Sequence, residues 1–527
     1  MCFPLAVEGL AMRGTPTHSM LRQTLLPWTL LVLTSWVAMQ AAHCKTVVII
    51  STPFTSHTRY HTRVARALSA LGHDVWLTMP TYLLEKGYVN TSAFRVIPYQ
   101  TLPLVEERTA SLFIEPYFEG KPRNIFEYMR VIGEIFDDLL GNENLLQNIK
   151  DKDADLIVID NITPFYRTAI IPHRLGKRFA FVGSTYDPIH TRIPFSTAET
   201  PHFFLPYSNK MTFSQRLETF LYFVAFTVFN PLYPSDIVSV YAPEMPYVPM
   251  DVLVGRAEVW LVETDHILDY ARPTLPNVKL IGGTASGPAG PLFTHFRSFM
   301  EDAREGAVVV SFGSYVLGVP RRISDKLFQV FQRLPMKVIF RSNLTSPDPA
   351  KILTSPWLPQ NDLLGHPNTK VFVSHCGKNG QYEALYHAVP VVAMPLFGDQ
   401  PYNAERVRRK GFAEVLDLNT CTADQLTQAI LTVAREPRYK QAATKYSRLF
   451  RKLYGVPMET AAFWLDHVME HGGDYMRSAG QEMPLYQFLM LDVVLLLVSV
   501  MAAVVTLVSV CVCAVCRCFC KTKMKSD

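Results

Sequence analysis

Residues 372–400 read FVSHCGKNGQYEALYHAVPVVAMPLFGDQ: a histidine, two glycines, an asparagine and a glutamate between apolar runs, then an Asp-Gln pair. In an open α/β sheet, ligands bind at the carboxyl ends of the strands. VFVSH ends at His375, and a helix is expected to begin near Asn379. Gly377 and Gly380 let backbone approach a ligand closely. The free N–H groups of a helix N-terminus favour phosphate, and His375 adds a donor at the same place. Glu383 falls about one turn into the helix, where a carboxylate accepts two ribose hydroxyls. Upstream, WLPQNDLLGHP (357–367) offers the flat face of Trp357 to a base and the amide edge of Gln360. Downstream, Asp399 and Gln400 follow a strand end and can take the hydroxyls of a sugar. Base, ribose, diphosphate and sugar are matched in turn. Alone, H-x-G-x-x-G is a weak signal, and a single Trp or Glu is more often packing or surface. Neither the G-x-G-x-x-G dinucleotide fingerprint nor a G-x-x-x-x-G-K-[ST] loop occurs.

Two series of strands must position these groups. KTVVIIST (45–52), HDVWLTM (73–79), DLIVID (155–160), RFAFVGS (178–184), EVWLVET (258–264) and NVKLIGG (277–283) form the first, with the helical stretch TRVARALSALG (62–72) after its first strand. SGPAGPL (286–292), with two Gly and two Pro, reads as a linker. AVVVSFGS (307–314), MKVIFRS (336–342), TKVFVSH (369–375), PVVAMPL (390–396) and AEVLDL (413–418) form the second series. Short apolar, β-branched runs alternating with helical stretches predict two tandem doubly wound α/β halves. Residues 420–470 are expected to be helical and to close the second half. FLYFVAFTVFNPLYP (220–234) is too short to span a bilayer. It reads first as core helix, with a pocket wall or an in-plane membrane contact as alternatives.

The 527 residues are 49% apolar and 18% charged, with a net charge of +5 and no block of like charge. That low charged share points to a membrane segment or a large apolar pocket, and the scattered charge argues against nucleic acid binding. Arg22, LLPWTLLVLTSWVA and the following small residues read as a secretory signal peptide, 1–42, in which 1–19 is a mis-assigned start or an extension ahead of Met20. Val493 to Cys516 carries no charge over 24 residues. As a helix it spans ~36 Å, enough for a ~30 Å hydrocarbon core. Arg517, Lys521, Lys523 and Lys525 follow, so the tail is expected in the cytosol and the bulk of the chain in the lumen. The final KMKSD is either a dilysine retrieval signal or a stop-transfer cluster. Of nine cysteines, five lie at 511–520 and only Cys44, Cys376 and Cys421 fall in the lumenal part, so no disulfide framework is indicated. Asn90, Asn161 and Asn343 are formal glycosylation acceptors, Asn161 the least suited because it abuts a buried strand.

WLPQNDLLGHP, HCGKNGQYEALYH and PLFGDQPYNAERV together resemble the signature of the UDP-glycosyltransferase family of type-B fold, and the resemblance runs from the signal peptide to the lysine tail. It implies an α/β, GT-B fold. The expected organisation is an acceptor domain at 43–285, a UDP-sugar domain at 286–470, a membrane-proximal segment at 471–492, a single transmembrane helix at 493–516 and a basic tail at 517–527. The implied place is the endoplasmic-reticulum membrane, type I, with lumenal catalytic domains. By resemblance Trp357 stacks on uracil, Glu383 holds the ribose, and His375 with the 377–380 backbone, Asn379 included, holds the diphosphate. Gln360 belongs to the same donor set, Asp399 and Gln400 hold the sugar, and Ser314 and Arg341 match donor-contacting loops. UDP-sugar is a co-substrate, and no cofactor or metal is expected. A homo-oligomer is compatible with the sequence and not specified by it.

Inverting transfer needs a base to take the acceptor's proton, work suited to histidine near neutral pH. His57 follows the first strand and Asp160 ends a neighbouring one. In the family this pair is the catalytic dyad, and both match in context: SH fifteen residues before G-H-D, and DNITPF after a buried strand. His61 competes with His57, and HTRYH also resembles two zinc ligands, though without the Glu of H-E-x-x-H. DKDAD (151–155) reads as a polar lead-in to a strand rather than a manganese site. Three positions depart from the pattern. Cys376 replaces a glycine and is small enough to be tolerated; Gly398 replaces the usual Ala, a minor loosening; Glu263 stands where members using UDP-glucuronate tend to carry Arg. A carboxylate beside a carboxylate is unfavourable, so a neutral sugar, glucose first, is favoured over glucuronate. Phe113, Tyr117, Phe203, Phe204, Phe220 and Tyr222 suit an apolar pocket for a lipophilic acceptor, or ordinary core. A non-catalytic lumenal binding subunit and a nucleotide-linked oxidoreductase are the rival readings. The dyad argues against the first, and the missing fingerprint and the Trp–Gln pair against the second.

Overall fold

The computed structural model describes residues 44–523 apart from 88, 123, 162–164, 185–187 and 229–235. The signal-peptide segment and the last four residues lie outside that set.

Two all-parallel sheets form the protein. The first contains β1 (Thr46–Ile50), β2 (Asp74–Pro80), β3 (Arg95–Tyr99), β4 (Leu156–Asp160), β5 (Phe179–Gly183), β6 (Trp260–Val262) and β7 (Val278–Leu280), in the order β3-β2-β1-β4-β5-β6-β7. The second contains β8 (Ala307–Ser311), β9 (Lys337–Arg341), β10 (Ile352–Ser355), β11 (Thr369–Ser374), β12 (Val391–Ala393) and β13 (Ala413–Val415), in the order β10-β9-β8-β11-β12-β13. Strand direction in sequence reverses between β1 and β4 and between β8 and β11. Those two switch points open a crevice at the carboxyl ends, where such sheets bind ligands. The register is parallel, Ile50 opposite Ile159 and Ser374 opposite Ser311. It brings Ser51 and Thr52 beside Asp160 in one lobe, and Phe312 and Gly313 beside His375 in the other.

The central strands are fully buried because helices cover both faces, which is why they read as continuous apolar runs. Trp260 lies on Phe181 with ring centroids 4.0 Å apart, in the core of the first lobe. Strands β3 and β10 were not among the expected strands. Both are edges; RVIPY carries a proline and ILTS is half polar, so neither shows a buried run.

The end of the chain departs from the expectation that 420–470 closes the second half. Helix Pro437–Tyr454 stays with the second lobe through Ala443 and Phe450. Gly455, at φ 56°, then turns the chain, and helix Pro457–His471 crosses to the first lobe. Its Ala461, Ala462, Leu465, Val468 and Met469 form one stripe at helical spacing and join the core of Val47, Ile49, Val64 and Leu68. Arg178 fixes the crossing by donating to the carbonyls of Val468 and Met469 at 3.0 and 3.1 Å. The following segment remains on that lobe: Gly473 N donates to Glu258, Gln481 to the Thr191 carbonyl, and Leu485 N to Asp251. Helix Leu491–Lys523 then leaves the body, and its Leu491–Arg517 portion is long and apolar enough to cross a membrane.

Helix Phe213–Val228 covers the start of the 220–234 stretch, whose residues 229–234 lie outside the described set, and the part described is not a core helix. Phe213, Leu217, Phe220, Leu221 and Tyr222 are exposed. Asn90 and Asn343 are exposed, whereas Asn161 is fully buried and closed to modification in the folded chain.

Candidate active site

Asp160 ends β4 with its side chain fully buried. A carboxylate there must be satisfied by hydrogen bonds or forgo its charge. Thr52 Oγ1 donates to Oδ2 at 2.8 Å, Tyr60 OH to Oδ1 at 2.6 Å, and His57 Nδ1 to Oδ2 at 2.7 Å. Because the carboxylate accepts, the His57 proton sits on Nδ1, and Nε2 carries the lone pair in the neutral ring. Burial by itself would lower the His57 pKa; the Asp160 charge and hydrogen bond outweigh it, and the net shift is upward from 6.5. Burial would raise Asp160, and the facing His57 more than reverses that, holding the carboxyl below its ordinary range.

Helix Thr55–Ala70 carries both His57 and Tyr60, and its own N-cap position, Phe54, supplies no side-chain acceptor. Glu106 does so from another part of the chain, its Oε1 accepting from Thr55 N at 2.6 Å, while Lys86 holds the second oxygen at 2.7 Å. An anion at a helix N-terminus is favourable, and here it fixes the turn that presents His57. His61, the competitor, is wholly buried with Nδ1 at Ser51 Oγ and Nε2 at the Val182 carbonyl, both 3.1 Å. Burial lowers its pKa to about 4, so it stays a neutral structural residue. Asp155, last of DKDAD, accepts from Thr46 N at 2.8 Å and Asp153 pairs with Lys177, so two of its three carboxylates serve local structure. Tyr60, Thr52 and Glu106 went unrecognised in the sequence: each acts through a partner 51 to 108 residues away, a distance no local spacing reveals.

The second lobe brings its residues to the same crevice. His375 follows β11 and is gripped by two glycines: a Cβ on Gly313 would lie 2.5 Å from its Nε2 and one on Gly377 2.3 Å. Burial depresses His375 to about 4, so it is neutral. Helix Lys378–Tyr386 starts directly after Gly377. Glu383, fully buried within it, accepts from Gln360 Nε2. Trp357 is half-buried after β10. Arg341 ends β9 and donates to the carbonyl of Gly313, beside Ser314. Gly380 sits under Gln360 and Phe372, where a Cβ would meet both at 3.2 Å. Asp399 accepts from Asn403 Nδ2 at 2.7 Å. Gln400 is buried, and its side-chain oxygen is committed to the backbone N–H groups of Leu396 and Phe397, at 2.8 and 3.1 Å, so that it shapes the loop.

The two sets meet. Asn379 Nδ2 donates to the Ser56 carbonyl at 3.1 Å, one residue from His57, and Lys378 Nζ donates to the carbonyl of Ser184 beyond the end of β5. Asp399 is close enough to act on the His57 charge. Against His57 stands an apolar wall of Phe54, Val105, Ile132, Ile135 and Phe136 with Tyr128 and Tyr315, Phe54 lying 6.0 Å from the imidazole ring. Phe113 stacks on Phe397 of the second lobe at 5.0 Å; Phe203 and Phe204 pack together elsewhere with Tyr222 near His202.

Two departures read differently in three dimensions. Cys376 is buried, but its φ is 60°, so the cost lies in the backbone rather than in size: left-handed geometry suits glycine and burdens a side chain by about 1–2 kcal/mol. Gly398 also has positive φ, 64°, and there glycine relieves strain instead of loosening the loop. Glu263 follows β6, fully buried; Thr284 donates to its Oε1 from backbone and hydroxyl, while Oε2 has no hydrogen-bond partner among the described residues. Burial pushes its pKa up against those bonds and the Lys378 charge.

The chain matches the family described as "UDP-glucoronosyl and UDP-glucosyl transferase" over residues 43–526. It is 33% identical over 488 residues to the 2-hydroxyacylsphingosine 1-beta-galactosyltransferase of Rattus norvegicus, covering 88% of this chain and 87% of that one. It is 29% identical to UDP-glucuronosyltransferase 2B23 of Macaca fascicularis, covering 91% and 95%. Among solved structures it resembles the glycosyltransferase VinC in complex with dTDP, with a TM-score of 0.56 and 17% identity over 81% of this chain and 100% of that one. That likeness, with the two facing parallel sheets, is the GT-B fold.

Diethylpyrocarbonate attacks neutral imidazole, so labelling of His57 falls as pH drops through its pKa. Peptide mapping by mass spectrometry should place that midpoint above 6.5 in the parent. In Asp160→Asn the largest raising charge is gone while burial and the smaller effects of Glu263 and Asp399 remain, so the midpoint should fall relative to the parent. An unchanged midpoint would contradict the assigned cause.

Proposed function

Because the chain belongs to the UDP-glucuronosyl and UDP-glucosyl transferase family, we propose that it transfers a neutral hexosyl group, glucose first, from UDP to a hydroxyl of a small lipophilic acceptor, with inversion to a β-glycoside. The observation that carries this reading is the His57–Asp160 pair at 2.7 Å, facing loops whose side chains suit a nucleotide-sugar. In the proposed step His57 Nε2 takes the proton of the acceptor hydroxyl as its oxygen attacks the anomeric carbon. The C–O bond to UDP breaks and the electron pair leaves with the diphosphate. Asp160 stays ionised and stabilises the imidazolium. The start of helix Lys378–Tyr386, with Arg341 near Gly313, supplies positive potential for the leaving group, so no metal is required. Trp357 takes the uracil, Gln360 and Glu383 the ribose side, and His375, Gly377, Asn379 and Gly380 the diphosphate. Ser314 lines the same loop, and Asp399 and Gln400 meet the sugar, Gln400 also bracing the loop through its side-chain oxygen.

The neutral sugar is supported by Glu263, a buried carboxyl group near Asp160 where an arginine would be needed to welcome a uronate. The galactosyl transfer in the name of the rat relative makes UDP-galactose the second donor to try. The apolar wall around Phe54 and Phe136 supports a lipophilic acceptor. The helix Leu491–Arg517 supports a single membrane anchor, with both lobes lumenal and Arg517, Lys521 and Lys523 cytosolic, in the endoplasmic reticulum.

The test is UDP release from UDP-glucose, UDP-galactose and UDP-glucuronate with a mixture of phenols and lipid alcohols. We expect glucose to exceed glucuronate, activity to survive exhaustive chelation, and His57→Ala to lose ~10²–10⁴-fold. Faster glucuronate transfer would refute the sugar, a manganese-restored loss would refute the metal-free step, and an unchanged His57→Ala rate would refute the base. Protease added to sealed microsomes should leave both lobes intact; cleavage of the lobes without detergent would reverse the topology.

A further inference from the structure

Arg59 lies two residues beyond His57 on helix Thr55–Ala70, and no part of the proposed step uses it. Its guanidinium crosses the crevice to the second lobe. The guanidinium carbon stands 5.0 Å from the centroid of the Trp357 ring, and Nη2 lies 3.7 Å from Glu383 Oε1. Those are the two groups assigned to uracil and ribose. The Arg59 side chain is about three-quarters shielded, and the Glu383 carboxylate is fully so. Among the described residues Glu383 Oε1 has no hydrogen-bond partner, Gln360 serving only Oε2, so this buried oxygen faces a cation at 3.7 Å, too far for a hydrogen bond. Arg63, one turn further on the same helix, is close enough to Arg59 and Glu383 for their charges to be felt. The first lobe therefore sends cations onto the nucleotide end of the second lobe.

Resting on the donor-site assignment above, we propose that Arg59 is a donor-binding residue supplied by the acceptor lobe, which exchanges Trp357 and Glu383 for the diphosphate when a UDP-sugar binds. A ring stacked on Trp357 and two hydroxyls on Glu383 displace the guanidinium from both. The diphosphate brings more negative charge than the single carboxylate that Arg59 now faces, and it accepts the paired N–H groups that a 3.7 Å approach leaves unused. Because Arg59 and His57 share one helical turn, filling the donor site also holds the base in place.

Isothermal titration of the full-length protein in detergent with UDP and with uridine tests this. Arg59→Met should weaken UDP ~10-fold, as expected for a lost charge-assisted pair, and should leave uridine as tight as in the parent or tighter. Arg59→Lys, which keeps the charge, should recover part of the UDP affinity. Retained uridine binding shows that the variant is folded. UDP bound equally or more tightly by Arg59→Met would make Arg59 a mere plug and overturn the proposal, as would an equal loss for UDP and uridine. Trp357→Ala should weaken both ligands in an otherwise unchanged chain. If it does not, or if the parent binds no UDP, the donor site itself is misassigned, a failure that appears without touching Arg59.

Discussion

A carboxylate with no access to water governs this active site. Asp160 sits at the end of a central strand, and its charge survives there only because Thr52, Tyr60 and His57 converge on it. Satisfying that charge fixes the imidazole plane and its tautomer and raises its basicity against the opposing effect of burial. Around it the chain keeps a strict economy of charge. His61, four residues away and fully buried, bonds to the Ser51 hydroxyl and the Val182 carbonyl and is held neutral by burial. Of these two histidines one helical turn apart, only His57 hydrogen-bonds to Asp160 among the described residues, and its pKa rises while that of His61 falls.

The sheets place His57 and Asp160 opposite the loops that follow the strands of the second lobe. In each lobe the strand order reverses next to the first strand of its series, and the groups of interest follow the strands flanking that point: β1 and β4 in front, β8 and β11 behind. Helix Lys378–Tyr386 then joins the halves, through Lys378 to Ser184, Asn379 to Ser56 and Glu383 towards Arg59. Below the crevice, Asp269 takes Arg406, Arg272, Thr264 and Tyr402 into one buried network, and Asp265 accepts from Tyr382, so the chain leaving the first sheet is anchored in the second lobe. The return helix Pro457–His471 ties the end of the chain back to the first sheet. Contacts in both directions thus hold His57 and the loops of the second lobe at one crevice.

Much of this was legible in the residues. Trp357, His375, Glu383 and Asp399 could be read as one cluster because each lies at or just after the end of a strand of the second sheet or on the helix that follows one, and continuous apolar runs marked the buried strands. What escaped has physical reasons. Strands β3 and β10 are edges and carry no buried run. Tyr60, Thr52 and Glu106 matter through long-range contacts that neither composition nor period encodes. The stripe on Pro457–His471 announced a packed helix without saying against which lobe. Cys376 looked harmless by volume, whereas the position is defined by a left-handed backbone. The 220–234 stretch reads first as core helix, yet Phe220, Leu221 and Tyr222, on helix Phe213–Val228, are exposed.

The proposed reaction is a single displacement driven by one base, with no covalent intermediate on the enzyme. The anomeric configuration of the first product tests this most directly. Proton NMR of a turnover mixture, started from an α-linked UDP-hexose and read before any equilibration, should show the axial–axial coupling of a β-glycoside. An α-glycoside as the first product would mean a double displacement, and the roles given to His57 and Asp160 would be wrong.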